Sequence, residues 1–193
     1  GKNAFYKTNL TKVIIPESVE IIGDGAFMSS SLNSVEIGNK VKLIGKDAFS
    51  NTNLTKVIIP ESVESIGAGA FMESNLNSVE IGNNVKDIGN FAFSYNNLTE
   101  VIIPNSVEII SYGAFRNNNL KSVEIGDNVK VIGEVAFIFN KIGEIFIPDS
   151  VKKIDENAFD VTIRTYNTYN ILYEKLLDLK SNIDKEKKRI IIN

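Results

Sequence analysis

The chain has 193 residues and a formal net charge of −3, from 21 basic and 24 acidic side chains. This balance gives no reason to expect nucleic acid or an anionic membrane as a partner. The chain contains no cysteine and no histidine, which excludes a disulfide framework, a thiolate metal site and the commonest general base. Its 43% hydrophobic content is enough for a core. The apolar runs are far shorter than the roughly 20 residues of a membrane-spanning helix, so no membrane insertion is expected.

The chain begins in the middle of a repeated unit, because residues 1–5 match residues 45–49. We therefore expect it to be a piece of a longer protein, and the lack of a signal peptide then carries no weight. Nothing covers Val13 and Ile15 from the N-terminal side, and a strand over Lys12–Ile15 would lack an outer partner. Self-association of the cut chain through this N-terminal edge is the resulting expectation.

An internal repeat of 22 residues organises most of the chain. A leucine or isoleucine opens each repeat, at Leu10, Leu32, Leu54, Leu76, Leu98, Leu120 and Ile142. The same skeleton follows each time, and in the third repeat it reads Leu54, Val57, Ile59, Val63, Ile66, Gly67, Ala70 and Phe71. One phenylalanine keeps the register in every repeat and is expected to stack on its equivalents, at Phe27, Phe49, Phe71, Phe93, Phe115, Phe137 and Phe159.

The residue pattern within one repeat predicts its local structure. In Leu-x-x-Val-x-Ile the apolar residues alternate with others, which is typical of a strand. Repetition stacks these strands in parallel, about 4.8 Å apart. A second apolar pair, such as Val63 and Ile66, faces inward from the return side, and Ala-Phe fits a short helical turn. We therefore predict an α/β-type, right-handed solenoid with a parallel β-sheet on one face, since each repeat needs neighbours to bury its apolar side.

A second period of 44 residues overlies the first. Alternate repeats end their strand with proline, and the repeats between them carry glycine there. Both residue types stop a strand and turn the chain. The pattern indicates an array that grew by duplication of a pair of repeats, with prolines at Pro16, Pro60, Pro104 and Pro148 and glycines at Gly38, Gly82 and Gly126.

The sequence predicts two regions. Residues 1–165 form the solenoid, with about seven repeats after a truncated first one, and residues 166–193 form a C-terminal cap. Tyr169, Leu172, Leu176 and Leu179 have helical spacing and would cover the last coil. The charged run from Lys185 leads into Ile190–Ile192, which is predicted to be a final edge strand.

The repeat resembles the BspA-like, or treponemal-type, leucine-rich repeat. The resemblance rests on the series Ile-Pro, Ser-Val, Ile-Gly and Ala-Phe, as in Ile59-Pro60 through Ile66-Gly67 to Ala70-Phe71, and covers residues 1 to about 165. The departures are Ser111 and Asp155, which replace the glycine, and the absence of the family's frequent cysteine. The resemblance implies a bacterial surface protein that adheres to host proteins or to other cells, with a location outside the cell.

The outward residues of the predicted strands form two ladders on one face, which is the candidate protein-binding surface. An alternative is that Ile and Phe stand there only because they form strands well, with duplication repeating the pattern. The C-terminal half of the face is the more acidic, which favours a basic partner. The ladder nearer the turn holds Ile14, Glu36, Ile58, Glu80, Ile102, Glu124 and Phe146, and the other holds Lys12, Ser34, Lys56, Ser78, Glu100, Ser122 and Glu144.

Other motifs favour structural interpretations. Gly23-Asp24-Gly25 and Gly67-Ala68-Gly69 resemble phosphate loops but recur as turns of the repeat. The asparagines before each leucine, such as Asn53 and Asn97, are expected to bond loop backbone. Asp155, Asn157 and Asp160 lack a full calcium ligand set.

The sequence predicts no catalytic residue, metal or cofactor, because a periodic surface offers no unique pocket. The function expected is a non-catalytic protein-binding or adhesion module of a larger, cell-surface protein. The alternatives are an intracellular assembly scaffold, a passive spacer or an accessory binding domain of a larger enzyme.

Overall fold

A computed structural model describes residues 1–160 and the backbone of residues 187–191. The described chain is a parallel β-solenoid in which each repeat adds one short strand to each of two faces. Equivalent residues of neighbouring repeats face each other, as Val13 faces Val35, so the predicted 22-residue register is confirmed. The strands of the front face are β1 (Lys12–Ile14), β3 (Ser34–Glu36), β5 (Lys56–Ile58), β7 (Ser78–Glu80), β9 (Glu100–Ile102), β11 (Ser122–Glu124) and β13 (Glu144–Pro148).

The return side of each repeat forms the second sheet, which is continuous. Its strands pair in parallel through the whole array, in the order β14-β12-β10-β8-β6-β4-β2. Each strand has only two residues, with the second pointing inward, as Ile66 and Ile88 do. The members are β2 (Ile21–Ile22), β4 (Leu43–Ile44), β6 (Ser65–Ile66), β8 (Asp87–Ile88), β10 (Ile109–Ile110), β12 (Val131–Ile132) and β14 (Lys153–Ile154).

The front sheet is not uniform, because its parallel strands are paired two by two. β1 pairs with β3, β5 with β7, and β9 with β11. Within a pair the chain also bonds beyond the strand, as where the N–H of Ile59 donates to the carbonyl of Glu80 at 2.8 Å. Over residues 1–160 the structure has no strand pairing between β3 and β5, between β7 and β9 or between β11 and β13. We call the first two of these places the front joints.

The alternation of proline and glycine follows the same two-repeat period as this pairing. Glycine is needed in the following repeat because the backbones approach closely there: a Cβ on Gly82 would lie 2.5 Å from the carbonyl oxygen of Pro60. The 44-residue period thus marks a real two-repeat structural unit.

The Ala-Phe corner is not helical, which corrects the predicted helical turns and with them the α/β-type class. Among residues 1–160 and 187–191 the structure has no helix. The N–H of Phe49 donates to the carbonyl of Ala70 in the next repeat at 2.8 Å, and that of Asn51 donates to Met72 at 2.8 Å. These donors are therefore not available to a carbonyl four residues earlier. Two residues per repeat, such as Asp47 (φ 53°) and Asn51 (φ 53°), also take the left-handed conformation, which interrupts any helical run.

The core is built around a stack of phenylalanine rings, as the sequence predicts. Ring centroids of successive repeats lie 5.0–5.4 Å apart from Phe5 to Phe159, with planes within 11° of parallel. The central rings are fully buried, including Phe71 and Phe93. Burial of one such side chain stabilises the fold by about 1.5–3 kcal/mol, before the contacts between rings are counted. Phe5 extends the stack beyond Phe27, although it remains exposed itself.

A buried asparagine ladder runs beside the ring stack, one residue before the asparagines predicted to bond loop backbone. Its members stand two residues before a leucine or isoleucine, namely Asn96, Asn118 and Asn140. Among the predicted asparagines, the amide of Asn75 donates to the carbonyl of Thr52 at 3.3 Å. Asn96 accepts from the N–H groups of Ser74 (3.1 Å) and Leu76 (2.8 Å), and its amide donates to the carbonyl of Phe71 (2.8 Å). The earlier repeats place Ser30, Thr52 and Ser74 there, which reach fewer groups.

At the C-terminal end the last described strand, β15 (Lys187–Ile191), pairs antiparallel with β13. It begins inside the charged run, whereas the sequence places the final strand at Ile190–Ile192. The predicted helix around Tyr169–Leu179 lies outside the described residues. In the part of the chain that the structure describes, no helix is long and apolar enough to cross a membrane.

Candidate binding surface

The front face presents large apolar side chains to solvent at regular intervals. Ile14, Ile58 and Ile102 are 61%, 54% and 65% exposed, and Phe146 is 45% exposed. Their chain neighbour Val101 is buried, so each strand turns one apolar residue inward and the next outward. The structure therefore brings the residues of the outer ladder together on one surface.

Ion pairs neutralise the glutamates in the first two strand pairs. Lys12 Nζ lies 3.0 Å from a carboxylate oxygen of Glu36, and Lys56 Nζ lies 2.7 Å from Glu80. All four side chains are more than half exposed, so each ion pair contributes less than about 1 kcal/mol to folding. Their main effect is to remove net charge from this half of the front face.

The third pair of strands replaces this ion pair with two acids. Glu100 occupies the position of Lys12 and Lys56, and Glu124 that of their glutamate partners. Both carboxylates are exposed beside Ile102. Glu144 follows in the next repeat and is half-buried. The front face therefore carries exposed apolar residues along its length, is close to neutral at its N-terminal end and is acidic at β9 and β11.

Each front joint forms a shallow groove across the face. The residues at these grooves include Glu36, Ile37 and Ile58 at the first and Glu80, Ile81 and Ile102 at the second. The inward-pointing valines of β3 and β7 are only half-buried, whereas those of β5 and β9 are buried. The joints thus add apolar area to the ladder of exposed isoleucines.

The second sheet has a different outer surface, which was not among the predicted sites. Charges of alternating sign directly precede its strands, in the series Glu20, Lys42, Glu64, Lys86, Glu108 and Lys130. The hydrogen bond and the charge of Lys130 lower the pKa of the Glu108 carboxyl. The sign of this charge changes from one repeat to the next, so the series follows the 44-residue period of the sequence.

Aromatic side chains also stand on the ridge formed by the corners. Tyr95 and Phe139 are 41% and 53% exposed, and both take the left-handed conformation that Asn51 and Asn117 have in other repeats. The guanidinium of Arg116 lies 5.2 Å from the ring centroid of Phe139. These residues break the repeat pattern, so the repeat itself carried no signal for them.

The glycine motifs and the acidic residues near the C-terminal end have structural roles in the fold. Gly25 and Gly69 lie in turns of the corner at positive φ. Asp155 pairs with Lys153 at 2.6 Å, and Asp160 accepts from the N–H of Asn140 at 2.9 Å.

A family model for the BspA type leucine rich repeat region matches residues 1–118 and 42–165, with six copies. The chain belongs to this family.

Solved structures that this chain resembles include two leucine-rich repeat proteins from bacteria. A leucine-rich repeat protein from Bacteroides ovatus is 28% identical, with a TM-score of 0.62, over 80% of this chain and 48% of that one. A leucine rich cell surface protein from Faecalibacterium prausnitzii is 27% identical, with a TM-score of 0.47, over 79% of this chain and 51% of that one. The chain thus spans about half the length of these relatives. No curated protein matches it.

The two departures from the BspA-type repeat are accommodated locally. The family glycine packs against the preceding repeat, since a Cβ on Gly67 would lie 2.7 Å from the backbone of Gly45. Gly67 donates to the carbonyl of Ile44 at 2.8 Å, whereas Ser111 donates to Ile88 at 3.1 Å. Asp155 donates to the carbonyl of Ile132 at 2.9 Å, so both departures keep this backbone bond between repeats.

Proposed function

We propose that the front face of this chain is a non-catalytic protein-binding surface of a larger, cell-surface adhesion protein. The observation that carries the proposal is the row of exposed isoleucines at Ile14, Ile58 and Ile102, each more than half accessible to water. Regularly exposed apolar area on one face of a soluble repeat array is typical of interaction sites.

Strand formation alone does not require these isoleucines. Glu36 and Glu80 occupy the same position in strands of the same length, and those strands form equally well. The second sheet also exposes apolar residues, such as Ile21, but Ser65 and Asp87 interrupt them there. The front face keeps an apolar residue in every alternate repeat up to Phe146.

Membership of the BspA-type family supports the location and the kind of activity. The repeat's resemblance to that of adhesive surface proteins favours a protein partner outside the cell. The periodic surface supports a non-catalytic role, because catalysis needs a single pocket with converging groups. The acidic part of the face, at Glu100 and Glu124, favours a partner with a basic patch.

A pair of substitutions on each face tests the proposal. Ile58→Lys with Ile102→Lys places two cations on the front face, and Ile21→Lys with Ile109→Lys places two on the second sheet, where these residues are 59% and 40% exposed. Adhesion of the displayed chain to host cells should be lost only in the front-face variant, while both keep an unchanged circular dichroism spectrum. Full adhesion of the folded front-face variant would contradict the proposal.

A further inference from the structure

We propose that the front face accepts an amphipathic α-helix of its partner, laid along the solenoid axis, with an apolar side chain at every seventh residue and basic residues between. This inference rests on the proposed function, since it names the kind of partner for the same surface. It follows from the spacing of the exposed apolar residues, from the closed edges of the front strands and from the charge of the face.

The spacing of the apolar residues is set by the two-repeat unit. Ile14, Ile58 and Ile102 stand at the same position of alternate repeats. Between Phe49 and Phe93 the ring centroids advance by 5.2 and then 5.3 Å. Strand spacing within a hydrogen-bonded pair is about 4.8 Å. The apolar side chains of the face therefore recur every 10 Å or so along the axis.

An α-helix matches this period. Seven helical residues advance about 10.5 Å and return to nearly the same side of the helix. Three residues of an extended strand advance about 10 Å, but the third side chain then points to the opposite face. Three residues of a polyproline II helix advance only about 9.3 Å. The side chains of such a peptide therefore lose register with the three isoleucines. A helix can thus meet all three isoleucines with residues of one stripe.

Recognition by added strands is not open to a partner between β3 and β13. Neighbouring front strands stay within 8 Å of each other between Cα atoms, also across the front joints. Inserting a strand would require about twice the normal strand spacing, close to 10 Å. The outer edge of β13 is occupied by β15. Between β3 and β13 a partner must therefore dock through side chains, which is how an amphipathic helix binds a groove.

The charge of the front face determines which polar residues the helix should carry. Glutamates alternate with the apolar residues in the outer ladder, and Glu100 adds an acid where earlier repeats carry Lys12 and Lys56. A helix with lysine or arginine between its apolar residues places cations opposite these carboxylates. The strongest attraction is expected around Ile102, between Glu100 and Glu124.

The inference is tested with a synthetic peptide of about four heptads, with leucine at the stripe positions and lysine between them. Its affinity for the chain is measured by fluorescence anisotropy. Ile58→Lys with Ile102→Lys should weaken binding at least about tenfold, since two apolar contacts are lost. Ile21→Lys with Ile109→Lys should leave it unchanged. Glu100→Lys, which recreates the charge pattern of Lys12 and Lys56, should also weaken it.

Two control peptides decide between modes of binding. The first has the same composition with the leucines moved off the seven-residue period, and the second is proline-rich with an apolar residue at every third position. The inference predicts that both bind at least about tenfold more weakly than the heptad peptide. Equal or tighter binding of either control would overturn it. Loss of cell adhesion in the front-face variant, combined with such a result, would leave the proposed function intact.

Discussion

Replacing Asn96 by alanine should destabilise the solenoid strongly, although the side chain lies far from the front face. Its carboxamide accepts from two buried backbone N–H groups, those of Ser74 and Leu76. Alanine leaves both donors without a partner, and each buried unsatisfied group costs about 1–3 kcal/mol. The free energy of unfolding should therefore fall by about 2–6 kcal/mol. That is a large share of the usual stability of a domain of this size.

Equilibrium unfolding in urea, followed by circular dichroism, measures this loss against a matched control. Asn97→Ala removes the same side chain one residue later, where it is exposed. That change should alter the unfolding free energy by less than about 0.5 kcal/mol. Asn96→Ser should fall between the two, because a serine fills the equivalent position at Ser74. Equal losses for Asn96→Ala and Asn97→Ala would refute the assignment of the ladder.

Three further predictions concern the core, the close approach of repeats and the second sheet. Phe71→Ala should cost about 3–5 kcal/mol in the same urea assay, while Glu80→Gln should cost under about 0.5 kcal/mol. Gly82→Ala should cost about 1–3 kcal/mol, because its Cβ would meet a proline carbonyl that cannot move away alone. Equal stability of the alanine variant would show that the contact between the paired strands β5 and β7 yields freely there. Because the pKa of Glu108 is lowered in the folded chain, the ion pair with Lys130 stabilises the fold at pH values above the unfolded pKa of the carboxyl. This contribution disappears as pH falls through the folded pKa, so Lys130→Gln should flatten the acid side of the stability profile, and an unchanged profile would contradict the pairing.

The sequence alone predicts the parts of this fold that repeat. The 22-residue spacing specifies parallel stacking, the inward valines and isoleucines, and the ring stack from Phe27 to Phe159, because identical side chains in register can pack only on their equivalents. Family membership follows from the same residues. The outward direction of Ile58 and Ile102 was also predictable, since strand alternation leaves no other side for them.

The parts that could not be predicted depend on backbone bonding between repeats. Ala-Phe is compatible with a helical turn, and only the bonds from Phe49 and Asn51 to the next repeat show why the helix does not form. Phe91 (φ 56°) and Val135 (φ 52°) are of residue types that rarely adopt the left-handed conformation. The identity of these residues therefore did not indicate that conformation. The ladder was misplaced because Asn96 and Asn97 are adjacent and identical, and only burial distinguishes them.

The front joints make the two sides of the solenoid mechanically different. The second sheet carries hydrogen bonds across every step, whereas between β3 and β5, and between β7 and β9, the described front strands touch without pairing. Bending that widens these joints breaks no strand pairing there. Bending in the opposite direction would stretch the hydrogen bonds of the second sheet, which is continuous. The array should therefore flex in one direction as a chain of stiff two-repeat blocks. A surface of this kind can adjust its curvature to a long ligand in steps of one block, without unfolding any repeat.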